Sequence, residues 1–128
     1  GWISALDMNT GKMLCQRPNS RTPREIQEHL LLAGVAISDT GNDDRSALLV
    51  TKTLLFSGEG AGMYGARWGG SLFRAHDKRS GKVVAEIELG QRQTGVPMTY
   101  AIGGQQYIVV ATGAPGEAGQ LVALTVSQ

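Results

Sequence analysis

The sequence predicts an all-β chain of repeated antiparallel units, and three observations carry that prediction. First, Ala5-Leu6-Asp7-Met8-Asn9-Thr10-Gly11-Lys12 returns as Ala75-His76-Asp77-Lys78-Arg79-Ser80-Gly81-Lys82, with Ala, Asp, Gly and Lys in place. Second, a pair of short apolar runs around residues 48–58 returns around residues 98–113. Third, glycine is abundant, 18 of 128 residues, which suits a chain of many turns and close backbone approaches. A unit that recurs along a chain is the mark of a repeat architecture.

Taken in order, Trp2-Ile3 leads into the first copy and Met13-Leu14-Cys15-Gln16 follows it. Each copy therefore reads as strand, tight turn, strand. An Asp side chain can hydrogen-bond the backbone ahead of it, and Gly accepts positive φ at the close of the turn. Leu48-Leu49-Val50 and Thr53-Leu54-Leu55-Phe56-Ser57-Gly58 form the next hairpin. Leu72 to Asp77 and Val83-Val84-Ala85-Glu86-Ile87-Glu88-Leu89 form the second Asp-Gly-Lys hairpin, the latter rich in β-branched residues. Met98 to Ile102 and Gln105 to Gly113 are separated by Gly103-Gly104, a strong hairpin signal. Leu121-Val122-Ala123-Leu124-Thr125 matches the start of the Asp-Gly-Lys hairpin. Strands are expected near 2–7, 12–16, 47–50, 53–58, 71–77, 82–89, 97–102, 106–112 and 120–126.

With the strands of a unit lettered A to D, the chain reads CD, ABCD, ABC. Four antiparallel strands per repeated unit is the grammar of a β-propeller blade. The expected organisation is the end of one blade over 1–16, an inter-blade excursion over 17–46, a full blade over 47–89 and an incomplete last blade over 97–126. A start inside one strand and a finish on another suggest a piece of a longer propeller. Its open edges predict aggregation or association when isolated.

The excursion breaks the pattern. Thr22-Pro23-Arg24-Glu25 predicts a helix start with Thr22 as the cap, giving one or two helical turns near 24–34. A formal charge of +1 and a pI near 8.1 select neither nucleic acid nor an anionic membrane. No apolar run approaches the roughly twenty residues of a membrane span.

The chain resembles the C-terminal part of a pyrroloquinoline-quinone (PQQ)-dependent dehydrogenase of the membrane glucose dehydrogenase type. The stretches that carry the likeness are Ala5-Leu6-Asp7 with Thr10-Gly11-Lys12, Arg45 to Leu55, Leu72-Phe73-Arg74-Ala75 with Asp77 and Gly81-Lys82, and Thr94-Gly95-Val96-Pro97-Met98-Thr99-Tyr100 with Gln106 to Ala111. The last is the most specific. The resemblance implies an eight-bladed propeller with PQQ and a divalent cation, calcium, at its centre, oxidising a sugar or alcohol in the periplasm. The remaining blades of the parent chain are the implied partners. Two features depart from the family pattern. A Trp commonly follows the hairpin Gly by four positions and docks between blades, and here those positions hold Cys15 and Ala85. No position matches the family's catalytic base, metal ligands or cofactor-stacking Trp, so no catalytic or metal-binding residue is expected here.

Arg45 and Ser46 are the candidate cofactor-binding residues. They lead into an innermost strand, and an Arg suits bidentate pairing with a quinone carboxylate. The competing reading pairs Arg45 with Asp43 or Asp44 at the surface. Cys15 lacks the positive neighbour that a reactive thiol needs and reads as packing. His29 and His76 are isolated, whereas a metal site needs several ligands. The Asp39 to Asp44 run lacks the closing Glu of an EF-hand. Gly58-Glu59-Gly60-Ala61-Gly62 lacks the ending of a phosphate loop, and Arg67-Trp68 lies in the B–C loop. The expected function is a segment of a PQQ-dependent sugar or alcohol dehydrogenase, itself without catalytic residues. The alternative is a non-catalytic propeller acting as a periplasmic binding or assembly platform.

Overall fold

A computed structural model describes residues 1–42, 46–60 and 69–126. Ten strands dominate them. β1 (Trp2–Leu6) pairs antiparallel with β2 (Met13–Pro18). β3 (Leu48–Val50), β4 (Leu54–Gly58), β5 (Leu72–Asp77) and β6 (Val83–Glu88) form a four-stranded meander in chain order. In the third sheet β9 (Gln105–Gly113) is central. It pairs with β10 (Gln120–Thr125) on one edge and with both β7 (Arg92–Gln93) and β8 (Met98–Ile102) on the other. The expected antiparallel fragment of a propeller is what forms.

The repeated hairpin has a repeated physical cause. The Asp7 and Asp77 amides bond the Lys12 and Lys82 carbonyls at 2.8 Å in each copy. Asp7 Oδ1 accepts from the Asn9 amide and Asp77 Oδ1 from the Ser80 amide, both at 2.8 Å. Gly11 and Gly81 both take φ +68°. The register also slips at the same place in both, between Ala5 and Leu6 and between Ala75 and His76.

Two sequence expectations need correction. The third sheet's innermost strand is broken in two, and β7 lies outside the expected strands. Pro97 has no N–H to give to a ladder, so pairing stops at the Thr94 amide, which reaches the Ala111 carbonyl, and resumes at Met98. The short helix α1 (Arg24–Gln27) forms, followed by a 3-10 turn at Leu30–Leu32, but Thr22 does not cap it. Pro23 holds the cap position without a side-chain bond. The Thr22 hydroxyl instead donates to the Ser38 carbonyl and accepts from the Thr40 amide, both at 3.0 Å. It ties the two arms of the excursion together.

Sidedness on β5 sets where the core lies. Phe73 and Ala75 face the third sheet: Phe73 stacks on Phe56 of the adjacent strand β4, ring centroids 5.9 Å apart, and packs against Val110, Ile108, Val122 and Leu124 of the third sheet. Arg74 and His76 face the opposite way, toward β1–β2, and all four residues are buried. Beside the apolar face lies a cavity of about 540 Å³ lined in part by Ala85. Toward the other neighbour, a smaller cavity of about 80 Å³ is lined by Cys15. Small residues at the two positions after the hairpin glycines therefore coincide with incomplete filling between sheets.

Phe73→Ala deletes the centre of this core and should cost about 3–5 kcal/mol, read as a lowered denaturation midpoint. A loss below about 1 kcal/mol would mean that the Phe56–Phe73 stack does not organise the sheets.

Candidate functional site

Strand direction sorts the connections into two kinds. The A–B and C–D turns fall at one end of the sheets and are short: Asp7 to Lys12, Thr51 to Thr53, Asp77 to Lys82 and Gly103-Gly104. The D–A and B–C connections fall at the other end, residues 19–47, 59–71, 89–97 and 114–119, and the first three are longer than any turn at the opposite end. Long connections on a rigid scaffold are where binding groups collect, so the second end is the candidate site.

Gly58, the last residue of β4, organises that end. Its carbonyl accepts from Ser46 Oγ at 2.6 Å and Asn19 Nδ2 at 3.2 Å. Its amide donates to Gln93 Oε1 at 2.7 Å. Gln93 Nε2 in turn donates to the carbonyls of Ala47 at 2.9 Å and Gly95 at 2.8 Å. Asn42 Nδ2 donates to the Glu59 carbonyl at 3.0 Å. Asn19, Asn42, Gln93 and Glu59 are all buried. A Cβ on Gly58 would lie 2.3 Å from Gln93 Oε1, so no larger residue fits without breaking the network.

An ion cluster backs this network. Arg74 Nη2 meets Glu59 Oε1 and Arg74 Nε meets Glu86 Oε1, both at 2.7 Å. Burial works against the Arg74 cation, and the bonds to Glu86 and Glu59 more than offset it, so the guanidinium is held above its usual range. The Arg74 and Glu59 side chains are 9% and 8% exposed, and removing one partner would strand the other's charge in the interior. A Cβ on Gly70 would lie 1.6 Å from Glu59 Oε2. Glycine there leaves the carboxylate its place.

Of the two candidate cofactor residues, Arg45 lies outside the described residues. Ser46 sits at the entry to β3 with its proton committed to Gly58, and its oxygen lone pairs are still able to accept. Among the described residues, no three His, Cys, Asp or Glu side chains come together as metal ligands. The side-chain N–H groups of Asn19, Asn42 and Gln93 donate to backbone carbonyls, whereas the buried Asn19 Oδ1 has no hydrogen-bond partner. Glu86, half exposed on β6, is a partner of Arg74. The sequence reading missed the Asn19–Gly58–Gln93 network, because amide-to-backbone bonds between distant segments leave no local pattern. Arg74 did leave one, a charge inside an apolar strand.

His76 is buried, with Nε2 3.1 Å from Ser57 Oγ and Nδ1 3.4 Å from the Gly81 carbonyl. Burial lowers its pKa from the ordinary 6.5 and outweighs the Gly81 carbonyl, which favours the cation. An unfolded His76 therefore takes a proton at higher pH than the folded one, and stability falls as pH drops below about 6.5. Melting temperatures from about pH 8 to about pH 5 should decline at the acid end. The decline should be shallower in His76→Gln; an equal slope would assign the acid sensitivity elsewhere.

No curated protein matches the chain. The family model of the glucose/ethanol/alcohol dehydrogenase PQQ β-propeller domain matches residues 1–108. Matched over most of its length and built of antiparallel blades, the chain belongs to the PQQ β-propeller domain family of glucose, ethanol and alcohol dehydrogenases.

Proposed function

We propose that this chain is a C-terminal segment of a PQQ-dependent dehydrogenase of the membrane glucose dehydrogenase type, oxidising a sugar or alcohol in the periplasm. The observation that carries the reading is the family match over residues 1–108, joined to a loop end that is tightly built but holds no cluster of carboxylates among the described residues. The segment's role is then scaffold. The Gly58 network fixes the entry to strand A, and the remaining blades of the parent supply the catalytic base and hold the quinone and its calcium. When bound, the quinone accepts the electrons of the oxidised carbinol. Arg45 and Ser46 would contact it from this segment, Arg45 by a charged hydrogen bond to a carboxylate and Ser46 through its hydroxyl oxygen.

The 128-residue chain supplied with PQQ and calcium should not reduce a dye acceptor with glucose or ethanol, because no position in its sequence matches the family's catalytic base. Turnover by the chain alone would overturn the scaffold role. In the parent, Arg45→Ala should weaken PQQ binding by about 1.5–3 kcal/mol, the worth of a hydrogen bond to a charged group, measured by reconstitution of the apoprotein. Unchanged affinity would return Arg45 to a surface pair with Asp43 or Asp44. A parent that binds neither PQQ nor calcium would instead be the non-catalytic platform.

A further inference from the structure

The polar face of β5 opens on a cleft of about 570 Å³ between β2 and the β5–β6 hairpin, within the size range of small-ligand sites. Both walls are C and D strands, the outer half of a blade. Arg17, Arg21 and Lys82 line it, and among the described residues none of the three has a carboxylate within ion-pair distance. Arg17 makes only a 3.5 Å approach to the Ser80 carbonyl. Asp39 and Glu86 line it as well. Glu86 gives one oxygen to Arg74 and is 48% exposed, which leaves its second oxygen toward solvent. Ser20, also in the lining, is the one described non-glycine residue at positive φ, +80°. A residue held in the left-handed region costs conformational energy that surrounding structure must hold in place.

This mixture restricts what fits. A bare dianion such as phosphate gains three cations but meets Asp39 and Glu86. A neutral sugar satisfies the two acids by donating hydroxyl hydrogens and leaves three cations without a counter-charge. A molecule with a carboxylate at one end and hydroxyls beyond it answers both, because guanidinium pairs bidentately with carboxylate and carboxylates accept from hydroxyls. We propose that this cleft binds a small polyhydroxylated carboxylate, with its acid group on Arg17, Arg21 and Lys82 and its hydroxyls on Asp39 and Glu86.

The test is calorimetry on the protein with sodium gluconate, sodium acetate, inorganic phosphate and glucose as probes. Arg17 and Lys82 are exposed, so Arg17→Ala/Lys82→Ala keeps the fold, checked by far-UV circular dichroism. Gluconate is expected to bind once per chain, with the other three at least tenfold weaker, and the double variant should lose at least tenfold of that affinity. Asp39→Asn should weaken gluconate and strengthen phosphate. Absence of gluconate binding, equal binding of phosphate, or binding indifferent to the double variant overturns the proposal.

Discussion

Strand β5 is buried on both of its faces, and the rest of the structure is arranged around that constraint. A strand alternates its side chains across the sheet, so a doubly buried strand must satisfy two neighbours at once. Toward the third sheet it presents Phe73 and Ala75, and the neighbour answers with Val110, Ile108, Val122 and Leu124. Toward β1–β2 it presents Arg74 and His76, which cannot be buried without partners. Glu59, Glu86, Ser57 and the Gly81 carbonyl supply those partners. One inter-sheet interface is therefore an apolar core, and the other is a polar layer held by specific bonds.

The same constraint connects the core to the loop end. Glu59 directly follows β4, and its carboxylate is drawn inward by Arg74 while its carbonyl accepts from Asn42. Gly58, one residue earlier, receives Ser46, Asn19 and Gln93. Five separate stretches of chain meet there, so the entry to strand A is fixed from several directions.

The polar interface also explains the distribution of charge. Among the described residues, the buried cation Arg74 is paired with two acids, Glu59 and Glu86. The other cations that line the cleft, Arg17, Arg21 and Lys82, are exposed to solvent. Small residues at the positions after the hairpin glycines, Cys15 and Ala85, leave space between sheets. The meander and the third sheet are thereby joined by Phe73 packing against Val110, Ile108, Val122 and Leu124 and by hydrogen bonds such as that from the Gly58 amide to Gln93.

The architecture was legible in the sequence because its signals are local. An Asp and a Gly at fixed spacing make the same turn wherever they occur, with the same φ and the same amide bonds, so both hairpins and the Gly103-Gly104 turn could be read directly. Alternation and β-branching placed the strands to within a residue or two. The misses came where tertiary context overrode a local preference. Thr22 had the makings of a helix cap but found Ser38 and Thr40 across the excursion. Residues 92–93 carried no strand pattern yet pair with the far end of β9, which is long enough to hold two partners. His76, Asn19 and Gln93 read as ordinary polar residues along the chain. Only folding brings Glu59 to Arg74, Ser57 to His76 and Gln93 to Gly58, because those contacts join segments far apart in sequence and depend on which face of a strand meets which neighbour.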